Sequence, residues 1–151
     1  MEKVPPNIHF SQNVNQQLKN CLAFFKPDKI AILVDENTLT HCLPKLPCIK
    51  AIPLIQINSG EKNKNIETCQ LIWQQLTNFN FTRKSLLINL GGGVIGDMGG
   101  FVAATFKRGI PFINIPTTLL AQVDASIGGK LGIDFNEFKN HIGVFKDPDA
   151  I

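Results

Sequence analysis

Glycines at positions 91, 93 and 96 satisfy G-x-G-x-x-G, a spacing that lets a backbone turn close around a diphosphate. The turn follows an apolar run, Ser85 to Leu90 (SLLINL), and opens a helical stretch, so it stands where a strand hands over to a helix. Without Cβ atoms the chain can approach a ligand closely, and the free N–H groups of a helix start favour negative charge. A tight turn made only for helix–sheet packing is the other reading of the same glycines. An ordinary dinucleotide site adds a carboxylate at the end of the next strand, to hold a ribose hydroxyl. Here that strand ends Ile115-Pro116-Thr117, and the available carboxylates are Asp35, at an earlier strand end, and Glu61, in a loop. A dinucleotide would therefore be read at its ribose by an earlier strand, a variant of the standard unit. A phosphate-binding P-loop is excluded, because Leu131 replaces the hydroxyl residue after Gly129-Lys130 and Asp124 stands where its first Gly belongs.

A second set of polar residues crowds the same half of the chain. Asp97, Arg108, Thr117, Thr118, Asp124, Ser126, Lys130, Lys139, Asn140 and His141 lie among glycines and apolar residues. Several fall where strands or helices end, which is where open α/β sheets bind ligands. Taken singly, each is a cap, a turn former or a solvated charge; Asp97 alone could simply complement a helix dipole. Taken together, Arg108, Lys130 and Lys139 suit an anionic, phosphorylated ligand, and Asp124 beside such cations would ionise and bind hydroxyls.

The elements that must position these groups follow from periodicity. Ser11 is expected to cap a first helix to Phe25, with Val14, Leu18, Leu22 and Phe25 on one face. Lys29 to Val34 (KIAILV) reads as a strand covered on both faces, ending at Asp35-Glu36-Asn37. A turn-like Cys42 to Pro53 precedes a short strand, Leu54 to Ile57. Ile66, Cys69, Trp73 and Leu76 mark an amphipathic helix over Asn65 to Asn78. Ser85–Leu90, the glycine turn, a helix from Val94 to Phe106 and a strand from Ile110 to Ile115 form a βαβ unit with parallel strands. Thr117 to Ser126 reads as a short helix before Gly128-Gly129. The expected fold class is α/β, a Rossmann-like parallel sheet with helices on both faces.

Composition bounds the alternatives. The chain has 151 residues, 44% of them hydrophobic and 18% charged, enough for one ordinary core over 1–151. A net charge of +3 with no basic run longer than a pair makes nucleic acid a poor partner. The uncharged stretch from Gly109 to Val123 is broken by prolines, so no membrane span is expected. MEKVPPNIHF lacks the layout of a signal peptide, so a cytoplasmic location is expected. Cys21, Cys42, Cys48 and Cys69 form no C-x-x-C pair and are expected to be buried free thiols, not metal ligands or disulfides. His9 and His41 read as surface or loop residues.

With those residues in place, the second half closely resembles the 3-dehydroquinate synthases. The likeness runs through Gly91 to Asp97 (GGGVIGD), Arg108 to Phe112 (RGIPF), Ile115 to Ser126 (IPTTLLAQVDAS), Gly128-Gly129-Lys130 and Lys139 to Gly143 (KNHIG). It is looser upstream, at Asp35-Glu36-Asn37 and Gly60 to Lys64 (GEKNK). The resemblance implies an NAD-dependent lyase that converts 3-deoxy-D-arabino-heptulosonate 7-phosphate into 3-dehydroquinate and phosphate in the shikimate pathway of aromatic amino-acid biosynthesis. It implies Asp35, Asn37, Glu61 and Lys64 at the adenosine end of NAD, and Gly92, Gly93 and Val94 around the diphosphate. Asp97, Thr117, Thr118 and Leu120 also fall to the cofactor, with Lys139 near both cofactor and substrate. Asp124, Lys130 and Asn140 would meet the hydroxyls and carboxylate of a phosphorylated sugar acid. Arg108 would reach its phosphate from a neighbouring subunit, which implies a homodimer. The family also uses a divalent metal, zinc or cobalt, held by a Glu and two His of a helical C-terminal domain. This sequence stops at Ile151, before those ligands, so no metal ligand is expected here and the chain is expected to be the NAD-binding half, inactive alone.

Leu131 and Asp134 depart from the Thr and Asn frequent in the family, and His141 from a frequent apolar residue. Related sugar-phosphate cyclases, glycerol-dehydrogenase-like oxidoreductases and a non-catalytic nucleotide-binding module are the competing readings. The Pro116-Thr117-Thr118, Asp124 and Gly128-Gly129-Lys130 series argues against the dehydrogenases.

Overall fold

The computed structural model describes residues 5–151, so the first four residues of MEKVPPNIHF lie outside it. The apolar runs become four parallel strands, β1 (Ile30–Asp35), β2 (Leu54–Ile57), β3 (Leu86–Gly91) and β4 (Phe112–Pro116). Their order is β2-β1-β3-β4, with Ile32 opposite Leu54, Ile30 opposite Leu86 and Asn89 opposite Asn114. All six residues of β3 are buried, which is why SLLINL carries no polar alternation. Asp149 and Ala150 run along the outer side of β4, where Asn114 N–H donates to Ala150 O at 3.0 Å.

Helices cover both faces. Leu18 and Cys21 of α1 (Val14–Phe25) pack with Leu43 and Ile49 of two short 3₁₀ turns against Ile32 and Ile88. On the other face, α3 (Ile66–Asn78) and α4 (Gly93–Thr105) bring Cys69, Ile72, Leu76, Met98 and Val102 onto Leu33, Leu87 and Phe112. The four cysteines are free; Cys21 and Cys69 are buried, Cys42 and Cys48 half-buried. Burial pushes the Cys69 thiol up to about 12, which leaves it an unreactive apolar group.

Local chemistry corrects several boundaries. Asn13, not Ser11, caps α1: its side chain accepts from Gln16 N–H, while Ser11 Oγ accepts from Asn13 N–H. Val14 consequently starts the helix on its outer side and stays exposed. A short helix not expected from periodicity, α2 (Glu36–His41), follows β1 directly. Within Thr117–Ser126 the helical part is residues 119–125, ending in a π-helical turn, Ala121–Ala125. Beyond it, β5 (Lys130–Phe135) and β6 (Phe138–Phe145) form an antiparallel hairpin that the sequence reading left unassigned. Its turn carries Asn136 in the left-handed region, not the Asn-Gly pair that announces a hairpin.

Close approach holds these layers. A Cβ on Gly99 would overlap Asn89 Oδ1 from β3 below, and one on Gly100 would overlap Leu131 Cδ2 from β5 above. Asn89 Nδ2 donates to Asn114 Oδ1 at 3.0 Å, while its buried Oδ1, against α4, has no partner among the described residues. Gly99→Ala is expected to lower stability by about 1–3 kcal/mol through overpacking. Adding Asn89→Ala should restore part of the loss, because the two sites share one contact. Urea unfolding checks this: a Gly99→Ala midpoint equal to wild type would contradict the packing.

Candidate functional site

The C-terminal ends of β1, β3 and β4 open into one cleft of about 320 Å³. Asp35, Asn37, Gly92, Gly93, Val94, Thr117 and Thr118 all line it, so residues far apart in sequence meet in one place. At its floor, Gly92 caps α4 and offers no side chain to the first-turn donors. The first helical hydrogen bond runs from Gly96 N–H to Gly92 O, which leaves the N–H groups of Gly93, Val94 and Ile95 ahead of the ladder. A Cβ on Gly92 would come within 3.1 Å of Thr118 Cγ2, so the missing side chain is the cradle itself. At the other wall, Asp35 Oδ1 accepts from Asn37 N–H at 2.9 Å and Thr38 N–H at 2.8 Å. Thr38 Oγ1 in turn accepts from Asp35 N–H, completing a capping box that starts α2. Asp35 Oδ2 has no partner among the described residues. Glu36 accepts from Ser59 N–H and Oγ, which holds its carboxyl below the usual range and fastens the Ser59-Gly60 rim.

Beside the cleft lies a charged junction. Lys64 is buried, with Nζ 2.6 Å from Asp97 Oδ2, 2.6 Å from Asn140 Oδ1 and 3.8 Å from Glu61 Oε1. Lys64 is thus held by Asp97 and Asn140 and is not itself among the residues that line the cleft, although Gly60 of the same loop is. Lys139, exposed on β6, reaches Glu61 Oε1 at 3.5 Å. Asp97 sits just past the first turn of α4, and burial raises its carboxyl above the usual range against the opposing pull of Lys64. The charges of Glu61 and Asp124 push it the same way. Asp124 and Lys130 are exposed, and no cation lies within ion-pair distance of Asp124 among the described residues, contrary to the expected Asp124–cation neighbourhood. Leu120 is exposed and does not line the cleft.

Arg108 stands elsewhere. It shares a basic recess with Thr82, Arg83 and Lys107, beyond the far end of α4 and before β3 and β4 begin. The 13 residues of α4 separate it from the glycine turn by about 20 Å, at 1.5 Å per residue. Lys107 and Arg108 both have positive φ, 51° and 68°, an arrangement that costs energy for residues with a Cβ.

Residues 54–151 match the family model for the 3-dehydroquinate synthase N-terminal region. The chain belongs to the 3-dehydroquinate synthase family. It is 47% identical over 140 residues to the 3-dehydroquinate synthase of Parabacteroides distasonis, covering 91% of this chain and 40% of that one. The chain thus spans about 40% of the length of the curated relatives it matches. Among solved structures it is similar to a 2-epi-5-epi-valiolone synthase from Streptomyces hygroscopicus with NAD+ and Zn2+ bound, with TM-score 0.84 and 23% identity over 99% of this chain and 43% of that one. A 2-deoxy-scyllo-inosose synthase in complex with carbaglucose-6-phosphate, NAD+ and Co2+ gives TM-score 0.81 at 22% identity, over 93% and 40%. These two likenesses establish the Rossmann-like α/β fold.

Within this 3-dehydroquinate synthase family chain, the sequence reading missed His41, Cys42 and Thr38 as cleft residues. The signal was the Asp35-x-x-Thr38 cap, which announces a helix and carries its far end to the rim. Asp134 was noted only as a departure, yet its Oδ1 accepts from Asn140 N–H at 2.8 Å. Among the described residues no three His, Cys, Asp or Glu side chains converge as a metal site, and no helix is long and apolar enough to cross a membrane.

The Asp97 carboxyl is expected to keep its proton to higher pH than an ordinary aspartate, whose value is about 3.9. Its contribution to stability is complete below that ordinary value and is lost as pH rises through the raised one. A side-chain carboxyl NMR titration checks the direction; a midpoint below the ordinary value would contradict it.

Proposed function

We propose that residues 1–151 form the NAD-binding domain of a 3-dehydroquinate synthase, which converts 3-deoxy-D-arabino-heptulosonate 7-phosphate into 3-dehydroquinate and phosphate. The observation that carries this reading is the single cleft in which Asp35, Gly92, Gly93 and Thr117 converge beside the Asp97–Asn140 junction. The cleft suits NAD physically. The open first turn of α4 and the Gly92 cradle favour a diphosphate, and the free Asp35 Oδ2 offers an acceptor for ribose hydroxyls. When bound, NAD accepts a hydride and returns it. The chain's own residues hold and orient: Val94 and Thr118 border the diphosphate, and Asn37 flanks Asp35. Asp97 also falls to the cofactor, with Lys139 3.5 Å from Glu61 nearby. Asp124, Lys130 and Asn140 meet the hydroxyls and carboxylate of the phosphorylated sugar acid.

Arg108 supports a homodimer in this reading. It points away from its own cleft, so it can meet the substrate phosphate only in the cleft of a second copy. Zinc or cobalt, expected from the family, is assigned no ligand among the described residues.

Calorimetric titration with NAD tests the reading on the purified chain. Gly92→Val, whose added side chain fills the cradle against Thr118, should weaken binding at least about tenfold, or about 1.4 kcal/mol. Asp35→Asn keeps a good helix cap but loses the charge facing ribose, and a loss of about tenfold with little change in melting is expected. A folded wild-type chain with no saturable NAD binding would overturn the proposal.

A further inference from the structure

Asp35 and Glu36 are adjacent carboxylates with different partners. Asp35 caps α2 with its Oδ1, while Glu36, the first residue of that helix, reaches across to the loop after β2. Glu36 Oε2 accepts from Ser59 N–H at 2.9 Å, and its Oε1 accepts from the Ser59 hydroxyl at 2.5 Å. Asn63 Nδ2 donates to Ser59 O at 2.6 Å. Ser59 is therefore held through its N–H, its hydroxyl and its carbonyl at once. Hydrogen bonds to an ionised carboxylate are the stronger kind. Glu36 is exposed and Ser59 half-buried, so the link joins two surface segments without adding to the core.

What the link holds is the next residue. Gly60 lines the same cleft as Asp35, and its φ of 98° is one that residues with a Cβ rarely adopt. No atom lies within 4 Å of where its Cβ would stand, so the backbone turn, and not crowding, calls for glycine there. The turn leads from β2 into the 3₁₀ turn Glu61–Asn63, with Asn63 N–H donating to Gly60 O at 3.0 Å. Glu36 and Asn63 are the only side chains that hydrogen-bond Ser59 or Gly60 among the described residues. The capping box fixes Asp35 to the start of α2, and Glu36 fixes Ser59 to the same start. One short helix thus sets two parts of the cleft wall that are far apart in sequence.

We propose that Glu36 is a positioning residue: it latches Ser59 to α2 and so holds the Gly60 rim and the Asp35 carboxylate in one preformed wall for the adenosine half of a dinucleotide. The latch stands on the hydrogen bonds; the ligand rests on the function proposed above, in which Asp35 meets ribose hydroxyls. A rim already in place need not be ordered when the ligand arrives, so the latch acts on affinity and not on the fold. It needs the shape of the side chain, not its charge. A glutamine at this position keeps both bonds, its oxygen accepting from Ser59 N–H and its NH2 donating to Ser59 Oγ.

Calorimetry and N–H correlation spectra of this chain test it. Glu36→Ala should weaken binding of NAD, and of AMP as the probe for the adenosine half, by about fivefold each, with little change in melting. Its Ser59 amide signal should move upfield as the carboxylate acceptor is lost. Glu36→Gln should bind NAD within about twofold of wild type, a rescue that a role for the charge does not allow. Adding Ser59→Ala to Glu36→Ala should cost less than about twofold more, because both act through one link. Should Glu36→Ala melt well below wild type, Ser59→Ala alone decides, since it removes one bond and leaves α2 intact; unchanged NAD binding there would overturn the latch. Wild-type NAD affinity in Glu36→Ala, or Glu36→Gln as weak as Glu36→Ala, overturns it equally. AMP binding that holds while NAD binding falls overturns the assignment to the adenosine half. A wild-type chain that binds no NAD defeats the functional reading instead, and an unmoved Ser59 signal in Glu36→Ala then overturns the latch by itself.

Discussion

The absence of two side chains on α4 is the constraint on which the rest of this molecule depends. Gly99 lets the helix lie directly on Asn89 of the sheet, and Gly100 lets Leu131 of the hairpin lie directly on the helix. Packing at this distance leaves no slack, since interiors are as dense as organic crystals. The helix start is thereby set at one height above β3, which puts Gly92 and the first-turn donors at the cleft floor. The hairpin above it is set just as firmly, which brings Asn140 and Lys139 over Asp97 and Glu61. A methyl group at either glycine would part these layers and with them the two halves of the site.

Electrostatics at the junction works through burial. Lys64 and Asp97 are removed from most of the solvent, where a lone charge costs several kcal/mol or more and a pair is tolerated only with good geometry. Asp97 shows the tension, being raised by desolvation and by Glu61 and Asp124 while Lys64 draws it down. Breaking such a pair by removing one partner typically costs about 3–5 kcal/mol. The pair therefore acts as a specificity device as much as a stabilising one. It holds the Glu61 turn, α4 and the hairpin together, because one ammonium hydrogen-bonds Asp97 and Asn140 with Glu61 3.8 Å away.

The two ends of α4 carry opposite duties. Its start presents open N–H groups at a cleft walled by Asp35, and beyond its end Lys107 and Arg108 are displayed with positive φ beside Arg83. Strained backbone of this kind persists where surrounding structure over-determines it, and it gathers at working sites. One helix thus separates the edge that faces the cleft from a cationic edge.

Much of this was legible from residue order alone. Apolar runs without alternation announced buried parallel strands, and β2 spans Leu54–Ile57 as read. The glycine turn between strand and helix, the helical spacing of Ile66, Cys69, Trp73 and Leu76, and the family motifs were equally local signals. What stayed hidden had a common physical cause: the deciding partner was distant in sequence. The hairpin was obscured because Gly132 and Gly143 break strand patterning, and they are there to let its two backbones come close. Asn89 and Asn114 look like interruptions until register sets them opposite each other beneath Gly99. Lys64 is the clearest case. Nothing in its polar loop, GEKNK, announces burial, and only the fold brings Asp97 of α4 and Asn140 of β6 onto it. Sequence by itself determined the four parallel strands, the family and the glycine turn between β3 and α4, because these depend on neighbours within a few residues. Tertiary structure decided which charges are buried, which way Asn140 points and which end of α4 Arg108 occupies, because those depend on contacts that exist only once the layers are stacked.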